Sequence, residues 1–325
     1  MIKYLIRRCL YAIPILFGIN LLTFVLFFMV NTPDDIARMH LGQKHVQQQM
    51  IDDWKVVHGY DLPLFFNEQK TGIQKITATL FFQKSMKLFT LDFGMSDAGR
   101  DISQDITFRM WPSLAIALPV LFLDVLSNIV IAMIMAFFRG TYLDLTGVVI
   151  CIILMSISSL FYIIGGQYLF GKILRLVPIS GYDGGIEALK FILLPVIVAV
   201  LGSLGAGGRW YRTLFLEEMS KDYVKTARAK GLSEQRIMFK HVLKNAMLPI
   251  LTGIVVLLPS LFMGSLILES FFGVPGLGSY IIDAIAQQDF AIVRAMVFLG
   301  SILYIIGLVL TDFSYMLVDP RVRLS

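Results

Sequence analysis

The sequence has few charged residues for its length. Asp, Glu, Lys and Arg make up 16% of its 325 residues, whereas they make up about a quarter of a typical soluble protein. Hydrophobic residues account for 57%, and the mean hydropathy is +0.75. This composition argues against a soluble globular protein and favours a chain that lies largely in lipid.

Groups that carry out chemistry are also scarce. The two cysteines, Cys9 and Cys151, lie inside apolar runs and lack the spacing of metal ligands. His40, His45 and His58 are not spaced like a metal site either, and no serine lies in a nucleophile motif. No low-complexity tract or long Ser/Pro-rich linker interrupts the chain. We therefore predict no catalytic residue, no metal site and no cofactor bound by this chain.

Six long runs carry almost no charge, and each is long enough to cross a membrane as a helix, which takes about 20 apolar residues. They cover residues 9–33, 110–138, 145–171, 191–208, 245–268 and 295–311. Only Asp124 interrupts them. The first run is too long for a secretory signal peptide, and no small-residue cleavage site follows Val30. The runs predict an all-α integral membrane protein with six transmembrane helices.

The basic residues in the short loops predict the orientation of these helices. Nine Lys and Arg lie between Arg209 and Lys244, on the same side as the basic N-terminus. The short pieces on the other side hold Lys172, Arg175 and Lys190. We therefore expect both termini in the cytoplasm and an external loop of about 75 residues after the first helix.

The segment 222–250 is basic and polar, although apolar runs lie on both sides of it. Gly231 interrupts a helical pattern and suits the left-handed position that follows a helix. Ser233 is a good N-cap for a new helix, and Leu232 can pack on Ile237 as a hydrophobic staple. The pattern predicts a helix, a tight turn and a second helix.

The second helix, from Ser233 towards Leu248, is predicted to have two faces. Its basic residues recur every four positions, at Arg236, Lys240 and Lys244. Its broader apolar face is formed by Ile237, Phe239, Val242, Leu243, Ala246 and Met247. Such a helix could lie on anionic lipid or dock on a partner protein. The turn favours the partner protein, because a helix on a lipid surface has no need of one.

The same segment resembles the cytoplasmic signature loop (the EAA loop) of bacterial ABC-importer permeases, in the form found in the dipeptide/oligopeptide/nickel branch. The matching stretches are YVKTARAKGL (223–232), HVLKNA (241–246) and LP (248–249). This chain has Lys225, Thr226 and Ala227 where the general signature has Glu-Ala-Ala.

Other stretches are similar to the same branch. They are IRR (6–8) with IP (13–14) and LLTF (21–24), LDFGMS (91–96), ESFFGVPGLG (269–278) and DPRVR (319–323). NTPDD (31–35) departs from the Pro-Gly-Asp-Pro that is common after the first helix of the branch. The similarity covers nearly the whole chain and is thinnest between the first helix and residue 88.

The resemblance implies the type I permease fold of ABC importers. Residues 1–33 would form the tail and first helix, 34–109 an extracytoplasmic cap, and 110–325 a five-helix permease core with a coupling loop at 209–248. The implied function is a permease subunit of an ATP-driven importer of di- or oligopeptides in the bacterial cytoplasmic (inner) membrane. Such a subunit is not an enzyme, since ATP and Mg are used by separate ATPase subunits.

The implied partners are a second homologous permease subunit, two cytoplasmic ATP-binding subunits and an extracytoplasmic substrate-binding protein. Membrane lipid surrounds the chain, and no nucleic acid is involved. In this family the short helix of the loop fits a groove on the ATPase. The implied coupling residues are Tyr223, Thr226, Ala227, Arg228, Ala229, Lys230, Gly231, Leu232, Arg236 and Lys240. Ala227 and Gly231 are expected to be small so that the two backbones can approach.

Ionisable groups within spans are functional hypotheses by default, because they are costly in lipid. Asp124 either lines the transport path or bonds to groups on neighbouring helices. Asp312, which directly follows the sixth run, is expected to pair with a basic residue of the C-terminal tail. The residues considered for the pathway or its gate are Asp124, Glu269, Phe271, Phe272, Pro275 and Gly276.

Three other functions stay open on the sequence. A nickel importer of the same family shares the permease architecture, although no His or Cys cluster here suits nickel. A stand-alone secondary carrier would need coupling-ion residues or inverted repeats, and no convincing repeat is present. A membrane enzyme would need its site in the loop 34–109.

Overall fold

The computed structural model describes residues 2–42 and 46–318. Their regular structure is helical, apart from one isolated bridge between Met95 and Asp101. The first six helices are α1 (Ile2–Val30), α2 (Pro33–Leu41), α3 (Gln48–His58), α4 (Gln74–Thr77), α5 (Leu80–Ser85) and α6 (Ile102–Phe137). A short 3₁₀ turn, Met86–Thr90, follows α5.

Nine further helices follow α6 in the described part of the chain. They are α7 (Tyr142–Ser156), α8 (Ser159–Gly166), α9 (Ala188–Ser220), α10 (Asp222–Ala229), α11 (Glu234–Ile237), α12 (Leu243–Leu257), α13 (Leu266–Phe272), α14 (Leu277–Gln287) and α15 (Phe290–Val318). Wider π-helical turns at Gln167–Ile173 and Met238–Val242 extend α8 and join α11 to α12. A 3₁₀ turn, Pro259–Met263, follows α12.

Five of these helical segments are long and apolar enough to cross a membrane. They are Leu10–Phe28, Ile102–Phe137, Ala188–Ser220, Glu234–Met263 and Phe290–Phe313. Two bent helix pairs also pass this test, which gives up to seven spans if each pair is one. The predicted all-helical membrane architecture is confirmed, and the number six stays a prediction.

The third predicted span, 145–171, is wrong as a single helix. The helices α7 and α8 meet at an angle of 87°. Ile157 and Ser158 between them have extended backbone angles, and Ser158 takes the N-cap position of α8. The run lacks charge along its whole length, so hydropathy carries no sign of this bend. The serines that flank Ile157 are the local signal for it, since serine favours helix ends over helix interiors.

The fifth predicted span, 245–268, is also divided. The helical path that begins at Glu234 ends at Met263, and Gly264 follows with φ of +67°. A new helix, α13, then begins at Leu266 and meets α14 at 83°. Apolar residues on both sides of Gly264 made these two elements look like one span.

The chain forms two compact units. The first contains the described residues up to Arg109 together with Tyr280–Val309. Its core packs α1 against the helices of the segment 34–109, through Phe24, Phe28, Ile36, Tyr60 and Leu80. The Asn20 side chain in α1 also donates to the carbonyl oxygen of Ser85 at 2.9 Å. The segment after α1 is therefore a set of short helices fastened to that span.

The second unit contains Met110–Ser279 and the described residues from Leu310 onwards. One of its cores joins α6, α9, α10 and the helical path through α11 and α12. Another joins α8, α9 and α13. The long helix α9 contributes to both cores and leads directly into the predicted coupling loop. The C-terminal tail that was expected to pair with Asp312 lies outside the described residues.

Candidate functional site

The predicted turn in the basic segment is confirmed. Gly231 has φ of +77°, in the left-handed region that favours glycine. Its N–H donates to the Arg228 carbonyl at 2.9 Å, and the Leu232 N–H donates to the Ala227 carbonyl at 3.3 Å, which closes the end of α10. The Ser233 hydroxyl accepts from the Arg236 N–H at 3.4 Å and caps α11.

The apolar face of the second helix follows a different register from the predicted one. Ile237, Met238, Val242 and Ala246 are buried, whereas Phe239 is 64% exposed. The π-helical turn Met238–Val242 inserts an extra residue, so that the buried positions step by five from Ile237 to Val242 and by four afterwards. The prediction for Phe239 is wrong because it assumed an unbroken α-helical period.

The ten predicted coupling residues fall into two groups. Ala227 is only 6% exposed and, with Val224, belongs to the core cluster that contains Ile237 and Val242. Its small size therefore serves packing within this chain, and the expectation that it lies on the docking surface is revised. Tyr223 and Leu232 are half-buried against the same cluster. The exposed group consists of Thr226, Arg228, Ala229, Lys230, Gly231, Arg236 and Lys240.

An ion pair braces the turn from outside. Arg228 donates through Nε and Nη2 to the two oxygens of Glu234, at 2.7 and 3.0 Å. The Glu234 carboxylate holds the pKa of Arg228 above its usual range. Because both side chains are exposed, such a pair stabilises the fold by no more than about 1 kcal/mol. It fixes the direction of the Arg228 side chain over the turn.

A second set of polar contacts connects the coupling loop to α9. The sequence analysis did not predict these contacts. Glu218, near the end of α9, is buried and accepts from the Tyr223 hydroxyl at 2.8 Å and from the Lys221 ammonium. Burial raises the pKa of the Tyr223 phenol, which keeps this donor protonated. The spacing of Glu218 and Lys221, three residues apart, was the available signal. These contacts of Glu218 hold the beginning of α10 against the end of α9.

A cavity of about 320 Å³ lies among α6, α9, α12 and α13. Most of its lining is apolar, with Asp124 and Glu269 among the polar groups. The Asp124 Oδ1 accepts from the Asn128 amide at 2.7 Å and from the Ser203 hydroxyl. The sequence left two roles open for Asp124, and the structure is compatible with both. Asp124 bonds to Ser203 on a neighbouring helix, and it lines a cavity in the membrane region.

Glu269 is held by backbone groups. It is 1% exposed and accepts from the N–H groups of Ser265 at 3.1 Å, Gly278 at 2.8 Å and Ser279 at 3.2 Å. Ser113, which sequence reasoning did not select, accepts from the Leu277 N–H at 2.8 Å. Glu269 and Ser113 thus satisfy the first N–H groups of α14, which have no partner within their own helix.

The other predicted gate residues do not form one group. Gly276 and Phe272 are buried, and a methyl group on Gly276 would overlap the Glu269 carboxylate. Phe271 and Pro275 are exposed. The Phe271 carbonyl accepts from the Gln167 amide at 2.9 Å, and the Phe272 carbonyl from the Gly181 N–H at 2.7 Å. These contacts tie α13 to the segment that follows α8.

Comparison with known proteins finds similar sequences over nearly the whole chain. The family described as the binding-protein-dependent transport system inner membrane component matches residues 128–324, and its N-terminal companion matches residues 1–86. The dipeptide transport system permease protein DppB of Bacillus subtilis is 28% identical, over 100% of this chain and 99% of its own. A putative peptide transport system permease protein of Brucella abortus is 30% identical, with 99% of each chain covered.

The oligopeptide transport system permease protein OppB of Escherichia coli is similar too, at 27% identity over 99% of this chain and the whole of its own. The predicted resemblance to peptide ABC-importer permeases, which was based on the loop motif, is therefore confirmed along the whole chain. Systems of this kind also contain ATPase subunits, which hydrolyse ATP, and a binding protein. The chain belongs to the family of inner-membrane components of binding-protein-dependent transport systems, and it is the multi-pass membrane permease subunit of an ABC importer.

Proposed function

We propose that this chain forms half of the translocation pathway for di- and oligopeptides. Its partners would be a second, homologous permease subunit, two cytoplasmic ATP-binding subunits and an extracytoplasmic substrate-binding protein. Both termini and the loop 209–248 would lie in the cytoplasm, and the segment 34–109 outside. The distribution of basic residues supports this orientation, and the printed names of the relatives, which are peptide systems, support the cargo.

One observation supports the proposed coupling role. The helix α10 and the turn after it expose one face, while the other face of α10 packs into the core of the second unit. Thr226, Ala229, Lys230 and Gly231 are exposed, while Val224 on the same helix is fully buried in the core. A groove on an ATPase subunit can therefore hold the exposed face without disturbing the packing beneath it. The basic side chains would contact polar groups at the rim of that groove.

The connections on either side of the loop explain how a docked ATPase would move the membrane helices. On one side Glu218 ties α10 to α9. On the other side the helical path from Glu234 continues without a loop to Met263, through the region that crosses the membrane. Packed helices shift between discrete arrangements because a dense interior resists stretching. Closure of the ATPase pair would therefore tilt both helices together.

Uptake measurements in the native cell test the cargo. We expect deletion of the gene to abolish ATP-dependent entry of labelled di- and tripeptides and to leave nickel entry unchanged. Depletion of ATP should have the same effect in the parent strain, since ATP hydrolysis drives the importer. Loss of nickel entry alone would contradict the peptide assignment and keep the importer. Peptide entry that persists without ATP would instead favour a secondary carrier.

A conservative substitution separates the two roles of Asp124. The asparagine oxygen in Asp124→Asn can accept both hydrogen bonds that Oδ1 now accepts, from Asn128 and Ser203. We therefore expect dipeptide uptake per assembled importer to stay within about threefold of wild type, a difference of roughly 0.6 kcal/mol. Asp124→Leu removes the acceptor. The Ser203 hydroxyl can still donate to the Val200 carbonyl at 2.8 Å, but the Asn128 amide loses its partner, which costs about 1–3 kcal/mol.

Assembly and transport are measured separately for both variants, by the amount of complex that co-purifies and by uptake of labelled dipeptide. We expect Asp124→Leu to lower the amount of complex. If Asp124→Asn assembles in normal amount and still fails to transport, the negative charge itself is required. Asp124 would then belong to the path taken by the ammonium group of a peptide or by another cation.

A further inference from the structure

A cavity of about 540 Å³ lies in the first unit, between the segment that follows α1 and the beginning of α15. This volume is in the range of small-molecule sites, which measure about 300–1,000 Å³. Three basic side chains line it, from Lys84, Lys87 and Arg294, together with the acids Asp92 and Asp97. None of its lining residues belongs to the coupling loop or to the membrane cavity around Asp124.

Two of the basic groups are bonded only to neutral acceptors. Arg294 is 7% exposed, and its Nη2 donates to the Lys84 carbonyl at 3.3 Å while its Nε has no partner. The Lys84 ammonium donates to the His58 carbonyl at 2.7 Å. Among residues 2–42 and 46–318, no carboxylate lies within 4.0 Å of either group. Buried charges in proteins are normally paired, because burial without a counter-charge is costly.

The nearby acids form no hydrogen bond with either basic group. The Asp97 Oδ1 accepts from the Tyr60 hydroxyl at 3.0 Å, whereas its Oδ2 lies 3.6 Å from His40 Nε2 and has no hydrogen-bond partner among the described residues. Asp289 accepts from the N–H groups of Asp97 at 3.0 Å and Ile292 at 3.2 Å, and so caps α15. Neither carboxylate therefore forms an ion pair with Lys84 or Arg294, although Asp97 lies near enough to act on both charges at longer range. Burial, with the nearby Arg294 charge, lowers the pKa of Lys84, and a bound anion would oppose that shift.

We propose that this cavity binds a small, singly charged oxyanion, a carboxylate or a phosphodiester, between Lys84, Lys87 and Arg294. Ammonium and guanidinium groups both form charge-assisted hydrogen bonds with such oxygens. Asp92 and Asp97 on the same lining disfavour a ligand with more negative charge. The site goes beyond the transport function, and its existence does not depend on which cargo the importer carries.

The oxyanion can come from a dissolved carboxylate or from a lipid headgroup, and hydrogen exchange distinguishes them. The amides of residues 80–99 are followed in the purified importer, with acetate against chloride at equal ionic strength. They are then followed in lipid discs that contain phosphatidylglycerol against phosphatidylcholine. At a probe concentration about ten times its Kd, exchange through local opening should slow about tenfold. Protection by acetate alone identifies a dissolved carboxylate, and protection by phosphatidylglycerol alone identifies a lipid. No protection by either probe overturns the site.

Matched lysine variants tie the protection to this cavity. In Lys84→Gln the amide can still donate to the His58 carbonyl, but the charge is lost. Lys87→Gln removes an exposed charge from the lining and leaves the packing unchanged. Each should weaken binding of the effective probe by about tenfold or more, since a hydrogen bond to a charged group contributes about 1.5–3 kcal/mol. The exposed Lys70, outside the lining, provides the control Lys70→Gln. Full protection in both cavity variants would refute the site, and Lys87→Gln decides alone if Lys84→Gln fails to fold.

Discussion

Replacing Gly231 with arginine is expected to lower import by about thirtyfold or more while the subunit still folds and assembles. Apart from its two chain neighbours, no residue has an atom within 4 Å of the position that a Cβ would take at Gly231, so a side chain can leave the turn without a clash at its first atom. At a docking surface the same side chain would lie between the turn and its partner. Disturbing the centre of an interface costs about 2 kcal/mol or more, which corresponds to a loss of about thirtyfold. The loss is measured as peptide uptake and as peptide-stimulated ATP hydrolysis, each per assembled importer.

The main competing effect of this substitution is backbone strain, and the chain offers a matched control for it. Gly140 also has φ of +77°, is exposed and has no atom within 4 Å of the corresponding position. A residue other than glycine in this conformation costs roughly 1–2 kcal/mol per position. Gly140→Arg therefore introduces the same strain and the same side chain outside the predicted coupling loop. We expect Gly140→Arg to import normally.

The pair of variants gives three distinguishable results. Loss of import in Gly231→Arg alone supports docking at this turn. Equal losses in both variants would assign the effect to strain, and import at full rate by an assembled Gly231→Arg importer would contradict the coupling role. Gly231→Asn adds a useful intermediate, because asparagine tolerates the left-handed conformation better than most residues. It should import better than the arginine variant, in proportion to its smaller side chain.

Much of the fold could be predicted from the sequence because hydropathy dominates it. Absence of charge over about 20 residues is sufficient to predict a helix that crosses a membrane, and the first and last spans were found in this way. A charge-free run does not report the direction of the backbone, however. The bend at Ile157 and the break at Gly264 therefore escaped prediction, although serine and glycine mark both places.

The turn of the coupling loop was predictable for a different reason: its signals are local. The conformation of Gly231 and the cap at Ser233 depend on residues within three or four positions of each. The burial of Met238 in place of Phe239 depends on a π-helical turn, which changes the register without a clear sequence mark. The partners of Glu218 and Glu269 depend on how neighbouring helices meet. The periodicity of a sequence does not predict such contacts between helices.

Removing the Glu269 carboxylate is expected to prevent stable assembly of the subunit. In Glu269→Ala the buried N–H groups of Gly278 and Ser279 lose their acceptor, and so does the N–H of Ser265, an exposed residue. Each unsatisfied buried donor costs about 1–3 kcal/mol, so the two buried donors together cost about 2 kcal/mol or more. That amount is a large fraction of the stability of a typical domain, which is about 5–15 kcal/mol. The amount of importer extracted from the membrane and its thermal unfolding midpoint both measure the loss.

Glu269→Gln separates this bracing role from the gate that the sequence suggested. The glutamine keeps one side-chain oxygen, which can accept from Gly278 and Ser279, and it loses the negative charge. If Glu269 acts by holding the start of α14, Glu269→Gln should recover most of the assembled importer and most of its transport. A gate that needs the charge would show the opposite result, with normal assembly and no import. Since the carboxylate is 1% exposed and bonded to three backbone N–H groups, we expect the first result.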